Sequence, residues 1–314
     1  MTTLLITGAG GMLGANLVLD ALAAGHRVIA VDYQHPVRRA GLESVTADLS
    51  RPGAAQEILA AHRPAWVIHC AAATNVDACE TDPGTAFRLN RDMAGQVALA
   101  ARAVGARMAH ISTDAVFDGE QGEYTEDDEP RPINVYGESK LDGERVVLAE
   151  HPEALIVRTC IYGWNAQPKQ SLAEWFLARL EAGQACPGFT DAWFSPILVN
   201  DLGDRLLQML ERRMQGVYHV AGGECISKYE FGVRLAEVFG LDPQLVLPES
   251  VDGGRLRATR GRRLCLQCQK VRRSLGQAPP GALAGLQHFA ALRRQGRAES
   301  LRELCAVETY GGPK

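Results

Sequence analysis

The stretch Ile6-Thr-Gly-Ala-Gly-Gly-Met-Leu-Gly14 (ITGAGGMLG) decides the fold that we expect for this chain. It puts Gly8, Gly11 and Gly14 directly after an apolar run and at the opening of a helical pattern. Glycine lets the backbone turn tightly and approach a pyrophosphate, whose charge then lies at the helix N-terminus. The stretch predicts a strand, a turn and a helix that bind a dinucleotide. The alternative is a tight turn without a ligand.

Short apolar segments alternate with helical patterns through the first half of the chain. The segments are rich in β-branched residues and almost continuously hydrophobic, as parallel strands covered on both faces are. The alternation predicts an α/β fold built on a doubly wound parallel Rossmann-type sheet. The predicted strands are 3–8, 27–32, 44–48, 66–73, 108–113 and 154–159, and the predicted helices are 11–25, 52–62, 84–105 and 134–150.

The pattern changes after about residue 165, where helical segments are joined by irregular stretches that contain Gly and Pro. We expect helices at 170–183, 200–213 and 227–239, and only partial helix from residue 274 onward. These changes predict a dinucleotide-binding Rossmann domain over residues 1–165. A smaller C-terminal domain over 166–314 would mainly bind substrate, with segments around 194–222 returning to the Rossmann domain.

The composition is that of an ordinary globular protein: 314 residues, 46% of them hydrophobic and 22% charged. A net charge of −4 and a pI near 6.1 give no reason to expect nucleic acid or membrane as a partner. The apolar residues 2–25 carry five glycines and no basic n-region, so we expect no targeting segment. Eight irregularly spaced cysteines are typical of reduced thiols, and we expect a cytoplasmic protein.

The acidic residue Asp32 closes the second predicted strand, where its carboxylate can accept hydrogen bonds from an adenosine ribose. A carboxylate repels a 2′-phosphate and so favours NADH, but Arg38 and Arg39 follow closely and keep NADPH open. Asp48 and Leu49 close the third strand and could border the adenine, with a plain strand end as the alternative.

Tyr136 and Lys140 lie four residues apart on a helix that we expect to begin at Val135, after Asn134 as the N-cap. At that spacing they share a helix face. A free phenol has a pKa of about 10, and a neighbouring ammonium lowers it toward the range of acid-base catalysis. The pair therefore suits a phenol that protonates a carbonyl oxygen as hydride reaches its carbon. An amphipathic surface pair is the alternative.

Two hydroxyl residues, Ser112 and Thr113, end the fifth predicted strand, at the edge where α/β sheets bind ligands. Either could share a hydrogen bond with the substrate oxygen. A glycine turn, a later Ser or Thr and a Tyr-x-x-x-Lys motif occur here in that order. Together they resemble the short-chain dehydrogenase/reductase superfamily.

Longer motifs carry a closer resemblance. The segments AAATNVDACETDP (71–83), STDAVFDG (112–119), NVYGESKLDGE (134–144), VRTCIYG (157–163) and FSPILVNDLG (194–203) resemble the dTDP-4-dehydrorhamnose reductase family over roughly residues 1–240. The resemblance implies reduction of the 4-keto group of a nucleotide-linked deoxysugar, with dTDP as the expected nucleotide, by NADH or NADPH. It also implies a dinucleotide site in the N-terminal domain and a sugar-nucleotide site in the smaller one.

The resemblance assigns roles to individual residues. The cysteine and histidine spacing gives no metal-ligand set, so we expect no metal. Tyr136 would be the proton donor, Thr113 with Ser112 its hydroxyl partner, and Lys140 the residue that tunes Tyr136 and holds the nicotinamide ribose. Substrate would contact Thr74, Val76 and Arg260. Trp164 follows a strand near the expected cleft and could stack on a sugar or base, with a buried core or domain-contact tryptophan as the alternative. With Tyr136 and Lys140, the dinucleotide would contact Gly8, Gly11, Met12, Leu13, Gly14, Asp32, Asp48, Leu49, Ala71, Ala72, Ala73 and Asn90.

The chain departs from the family pattern in two places. Ala115 stands where the family usually has tyrosine, and Gly261 and Gln267 replace a proline and an aspartate in RGRRLCLQCQK (260–270). These departures leave the hydride chemistry in place and the identity of the sugar open.

The basic segment 255–273 holds seven arginines and one lysine, of which one or two, Arg260 first, could clamp a diphosphate. A solvated face is the alternative. No aromatic residue interleaves with these charges, which disfavours nucleic acid. Cys265 and Cys268 lack a second pair of ligands, so we expect a short packed strand there rather than zinc or redox chemistry.

Two other functions stay open. One is a nucleotide-sugar epimerase of the same superfamily, and the other is a non-catalytic regulatory subunit, for example of methionine adenosyltransferase. Helices 84–105 and 134–150 are available for a homodimer contact.

Overall fold

The computed structural model describes residues 1–253 and 257–305. The strands are β1 Thr3–Thr7, β2 Arg27–Asp32, β3 Glu43–Thr46, β4 Trp66–His69, β5 Arg107–Thr113, β6 Leu155–Thr159, β7 Ile161–Tyr162, β8 Cys186–Phe189, β9 Trp193–Phe194, β10 Ile197–Leu198, β11 Gly216–His219, β12 Ile226–Ser227 and β13 Val246–Glu249. The helices are α1 Met12–Ala23, α2 Ala54–His62, α3 Val76–Thr81, α4 Pro83–Phe87, α5 Met93–Ala103, α6 Val135–Glu150, α7 Leu172–Glu181, α8 Val199–Glu211, α9 Lys228–Phe239, α10 Gln269–Leu275, α11 Ala282–Arg294 and α12 Arg297–Cys305. A π-helix spans Arg88–Asp92, and short 3₁₀ turns span Asp114–Val116, Pro243–Leu245 and Val251–Gly253.

A seven-stranded sheet forms the centre of the molecule in the order β11-β6-β5-β4-β1-β2-β3. Every pairing in it is parallel. Strands β1 to β6 lie in the order β3-β2-β1-β4-β5-β6, which is the order of a doubly wound dinucleotide-binding fold. This order confirms the predicted α/β Rossmann-type class. The strand at Gly216–His219 joins the edge beside β6. The division into two domains stays a prediction.

Alternate residues of the strands enter two separate cores. In β1, Leu4 and Ile6 pack in a core with the apolar faces of α1 and α8. Leu5, between them, packs on the opposite side with residues of α2 and α5. Both faces of the sheet are therefore covered, which explains the nearly continuous hydrophobicity of its strands.

Helix α6 begins where the sequence predicts. The Asn134 side chain accepts a hydrogen bond from the Gly137 amide at 2.8 Å and caps the helix, which starts at Val135. The helix packs against β5, α5 and the π-helix. This packing fixes Tyr136 and Lys140 relative to the carboxyl end of β5.

The C-terminal part is more helical than expected, because α10, α11 and α12 cover most of residues 269–305. On α11, Leu286, Phe289 and Leu292 recur at a three-residue spacing and are buried. That stripe packs α11 on α9, so tertiary burial stabilises a helix in a segment of weak local pattern. Residues 306–314 of the predicted second domain lie outside the described residues.

One cysteine prediction is wrong. Cys225 and Cys265 form a disulfide, whereas the spacing had indicated reduced thiols throughout. The two residues lie 40 apart in sequence, and only the fold brings them together. Cys268 is a free thiol. In the described ranges no helix is long and apolar enough to cross a membrane.

Candidate active site

The carboxyl ends of β1, β2, β4 and β5 open onto one cleft of about 650 Å³. Ligands of open α/β sheets bind at this edge. The predicted site residues that line it are Gly8, Gly11, Met12, Leu13, Gly14, Asp32, Asp48, Leu49, Ala71, Ala72, Thr74, Ser112, Thr113, Tyr136 and Lys140. The other predicted site residues, Ala73, Val76, Asn90, Trp164 and Arg260, are not part of this lining.

The turn between β1 and α1 leaves no room for a Cβ at Gly8, Gly10 or Gly14. Gly8 has a φ of +63°, and a Cβ there would lie 2.7 Å from the Ala71 nitrogen. A Cβ at Gly14 would lie 2.1 Å from the Gly8 carbonyl oxygen. Among the described residues, no side chain caps the start of α1 at Gly11. The first-turn N–H groups are therefore available to an anion such as a pyrophosphate.

Asp32 holds the far side of this turn together. One carboxylate oxygen accepts a hydrogen bond from the Gly10 amide at 3.0 Å, and the other accepts one from the His35 amide at 2.8 Å. Each oxygen keeps a further lone pair, so the carboxylate can still accept from a ribose hydroxyl. Asp32 thus fixes the glycine turn as well as facing the cleft.

Asn90 positions the wall of the cleft rather than lining it. Its Oδ1 accepts from the Ala73 amide at 2.8 Å, and its Nδ2 donates to the Ala73 carbonyl at 3.1 Å and to Ser139 Oγ at 2.9 Å. The residue lies in the π-helix, a local irregularity that is frequent at functional sites. Through it the segment after β4 is fastened to α6.

Tyr136 and Thr113 lie side by side on the cleft. The Thr113 hydroxyl donates to Asp114 Oδ1 at 3.0 Å and accepts from the Ala115 amide at 3.1 Å. Burial raises the pKa of the Tyr136 phenol, and the Thr113 hydroxyl partly opposes that increase. The phenol is therefore protonated at neutral pH, the form that can donate a proton.

The expected influence of Lys140 on this phenol is not what the structure shows. We predicted a phenol pKa lowered by the ammonium. The pKa is instead raised, mainly by burial. Lys140 Nζ has other partners: it donates to the Ile111 carbonyl at 2.7 Å and lies 3.5 Å from His110 Nε2. Burial also lowers the pKa of Lys140 itself, to about 8.

Ser112 takes part in a buried ion pair. Its hydroxyl donates to Glu144 Oε1, and the guanidinium of Arg158 donates to both oxygens of the same carboxylate, with a shortest distance of 2.7 Å. Both charged side chains are at most 5% exposed. The hydroxyl that we predicted as a partner of the substrate oxygen therefore binds Glu144, one helical turn after Lys140.

A second group of side chains, one buried and two partly buried, lies beside Thr113 and was missed by sequence reasoning. Asp114 is buried, and desolvation raises its pKa to about 6. Its carboxylate also interacts with the Cys160 thiol and with the charge of Lys228. These residues come from the ends of β5, β6 and the start of α9, so no local spacing connects them. Glu144, by contrast, continues the i, i+4 face of Tyr136 and Lys140.

The residues predicted to bind substrate divide into two groups. Thr74 lines the cleft and accepts a hydrogen bond from Lys169 Nζ at 3.3 Å. Arg260 pairs with Asp77 at 3.0 Å, and the adjacent Thr259 carbonyl accepts from Asn134, the cap of α6. Val76 begins the same short helix α3 that carries Asp77. The first residues of the basic segment, 255 and 256, lie outside the described ranges.

Trp164 has a structural role. Its ring stacks on Phe289 with centroids 4.1 Å apart, and Arg293 covers it at 5.9 Å. Its indole N–H donates to the Phe289 carbonyl at 3.1 Å. Neither the ring nor its donor is left for a sugar, so Trp164 is not part of the site that we propose.

Comparisons with known proteins show what the whole chain is similar to. A family model described as RmlD substrate binding domain matches residues 1–294. A probable low-salt glycan biosynthesis reductase of Haloferax volcanii is 34% identical to this chain and covers 88% of it and 93% of the relative. Methionine adenosyltransferase 2 subunit beta of Pongo abelii is 33% identical, over 88% of this chain and 84% of that protein.

A solved structure gives the same result for the fold. The structure of dTDP-4-dehydrorhamnose reductase from Bacillus anthracis in complex with NADP matches with a TM-score of 0.83 and 29% identity. The match covers 92% of this chain and 99% of that one.

Proposed function

The chain belongs to the dTDP-4-dehydrorhamnose reductase family of the extended short-chain dehydrogenase/reductase superfamily, and from this premise we propose that it reduces the 4-keto group of a nucleotide-activated deoxysugar with NADH or NADPH. The observation that carries the proposal is the single cleft that contains both the glycine turn and the Thr113, Tyr136 and Lys140 side chains. Reductase relatives support an NAD(P)-dependent oxidoreductase.

The residues of the turn fit a dinucleotide. The close backbone approach at Gly8 and Gly14 and the uncapped start of α1 suit a pyrophosphate, and Asp32 suits an adenosine ribose. A bound nicotinamide supplies the hydride that reduces the keto carbon. Because the Asp32 carboxylate repels a 2′-phosphate, NADH is the cofactor that we favour.

Side chains of the protein would donate the proton that the reduced keto oxygen needs. Tyr136, protonated because burial raises its pKa, donates its phenolic proton to the oxygen of the reduced keto group. Thr113 lies beside the phenol and orients that oxygen. Lys140 is an ammonium below about pH 8 and can donate a hydrogen bond to a ribose hydroxyl.

The substrate site would lie between the sheet edge and the C-terminal segment that carries Arg260. Thr74 and Arg260 are its proposed contacts. The guanidinium of Arg260 pairs with Asp77, and the preceding Thr259 carbonyl accepts from Asn134 at the start of α6. A dTDP-linked sugar and a homodimer formed through α5 and α6 belong to the same proposal.

Substitution of Tyr136 by phenylalanine tests the function. We expect Tyr136→Phe to reduce kcat for a dTDP-4-keto-6-deoxysugar about 10²–10⁴-fold, because it removes general acid catalysis. The dissociation constant of NADH should change little. Oxidation of NADH and NADPH is followed by absorbance, and cofactor binding by fluorescence.

The matched control is Tyr218→Phe, which removes a phenol from the edge strand β11, outside the cleft. It should retain full activity. Wild-type rates in Tyr136→Phe would refute the assigned role. Failure of every keto sugar to oxidise either cofactor, with cofactor binding intact, would refute the substrate class.

A regulatory role is the second candidate, because a relative at 33% identity is named as a subunit of methionine adenosyltransferase. It predicts that the chain binds a methionine adenosyltransferase catalytic subunit and changes its activity while oxidising no cofactor. Mixing the two purified proteins and measuring both activities separates this candidate from the reductase.

A further inference from the structure

Three buried polar residues form a row across the centre of the sheet. Strand pairing sets Thr7 of β1 opposite His69 of β4, and His69 opposite His110 of β5. All three side chains are at most 1% exposed. They lie on the face whose other residues, such as Leu5, pack with α2 and α5. We call Thr7, His69 and His110 the polar row.

Such a row is costly to bury without a purpose. Strands covered on both faces normally carry apolar side chains. Burial of an imidazole that lacks hydrogen-bond partners destabilises the folded protein. His69 Nε2 and His110 Nδ1 have no partner in the described part of the chain. The proton-donating role of Tyr136 does not require either histidine directly.

The polar row extends from Thr7, next to the glycine turn, to Lys140 on α6. Thr7 Oγ1 accepts from the Ala71 amide at 3.3 Å and lies 2.7 Å from His69 Nδ1. The two imidazoles stack with centroids 5.4 Å apart and planes 22° apart. His110 Nε2 then faces Lys140 Nζ at 3.5 Å.

The row is uncharged at neutral pH. Burial lowers the pKa of His69 to about 3 and holds the pKa of His110 well below its ordinary value, with the Lys140 charge adding to both effects. A neutral His110 whose Nε2 faces an ammonium must carry its proton on Nδ1. Its Nε2 lone pair is then an acceptor for Lys140.

We propose that His110 is a positioning residue for proton transfer, which holds the Lys140 ammonium between its own Nε2 and the Ile111 carbonyl while His69 and Thr7 fix the ring. The inference rests on the proposed reductase function for its catalytic consequence. Because its ammonium group is held by these two contacts, Lys140 occupies one position in the cleft next to Tyr136.

The inference has a defined pH consequence. Of the other ionisable groups near Lys140, Glu144 on its own helix favours the ammonium, whereas burial opposes it. The Cys70 thiol after β4 is neutral in this pH range, because burial raises its pKa to about 12. A neutral acceptor at His110 also favours the ammonium. Removing it therefore lowers the pKa of Lys140 below about 8, and the neutral amine appears at lower pH.

The decisive variant is His110→Leu, measured by the dissociation constant of NADH as a function of pH, without any sugar. In the wild type, binding should weaken with a midpoint near pH 8 as Lys140 loses its proton. In His110→Leu the midpoint should fall by about one pH unit, equivalent to a tenfold change in the protonation constant. Lys140→Met should abolish this midpoint.

The control is His151→Leu, which removes another buried histidine that bonds the Ala106 carbonyl at 3.0 Å, at the far end of α6. His151→Leu should lower the unfolding temperature and leave the pH midpoint of NADH binding unchanged. An unchanged midpoint in His110→Leu, or an equal shift in His151→Leu, overturns the inference.

A measurement on the wild type covers the case in which His110→Leu does not fold. Selective ¹⁵N labelling of histidine reports which ring nitrogen carries the proton. The inference requires His110 protonated at Nδ1 only, and a proton on Nε2 refutes it. Neither the NADH-binding experiment nor the ¹⁵N labelling contains the sugar. If the midpoint shifts as expected in a protein that reduces none of the keto sugars, only the proposed function is refuted.

Discussion

Substitution of Gly143 tests how closely helix α6, which carries Tyr136 and Lys140, must pack against the π-helix. The residue lies one turn after Lys140 on α6, and a Cβ there would lie 2.2 Å from the Asn90 carbonyl oxygen. The substitution to examine is Gly143→Ala. In an exposed helix it would stabilise the protein by about 1 kcal/mol, because alanine has the higher helix propensity.

The clash reverses that sign. A Cβ contact below 3.0 Å does not occur in practice, so α6 and the π-helix must separate by about 0.8 Å at this point. The contacted atom belongs to the backbone and cannot rotate away. Overpacking of this kind costs about 1–3 kcal/mol, which leaves a net loss of up to about 2 kcal/mol. A displacement of about 1 Å of Tyr136 and Lys140 should also reduce kcat about 100-fold.

Thermal unfolding, NADH binding and steady-state rates measure these effects. We expect the unfolding midpoint to fall by several degrees, at about 2 °C for each kcal/mol. Gly203→Ala on α8 is the control, because its Cβ would meet the end of the Leu17 side chain, at 3.1 Å, rather than a backbone atom. It should keep or raise the midpoint with full activity. Equal stability and activity of the two variants would refute the role of the Gly143 contact.

Two further predictions concern buried charges. Arg158→Met should destabilise the protein by about 3–5 kcal/mol in urea unfolding, because it leaves the Glu144 carboxylate buried and unpaired. Replacing both partners by methionine should recover much of that loss, and a double variant no better than the single one would contradict this reading. The pKa of Asp114 is raised to about 6 in the folded protein, from 3.8, so the native state binds the extra proton between these values. Stability from this group should therefore fall as pH rises from 4 to 6, and Asp114→Asn should flatten that part of a thermal-unfolding profile. An unchanged slope in the variant would show that Asp114 is ionised at lower pH.

The local elements of the fold were predictable from the sequence. The glycine turn, the strand before it and the helix after it depend on neighbours within about fifteen residues, and so does the capped start of α6. Period, capping and glycine placement act over such short ranges. The parallel sheet followed from strand hydrophobicity, and the i, i+4 spacing placed Tyr136 and Lys140 on one face.

Contacts between distant segments were beyond such reasoning. The disulfide between Cys225 and Cys265, the stacking of Trp164 on Phe289 and the grouping of Asp114 with Cys160 and Lys228 each join separate parts of the chain. No periodicity encodes them, because they arise when the elements pack.

The ionisation of the site was also decided by tertiary structure. The sequence by itself determined the Rossmann-type order and the residues Thr113, Tyr136 and Lys140 that meet at its edge. Only packing decided that the Lys140 ammonium faces Ile111 and His110 and that burial raises the pKa of the phenol. The physical reason is that a pKa depends on the solvent and charges that surround the folded group, and that environment comes from residues far apart in sequence.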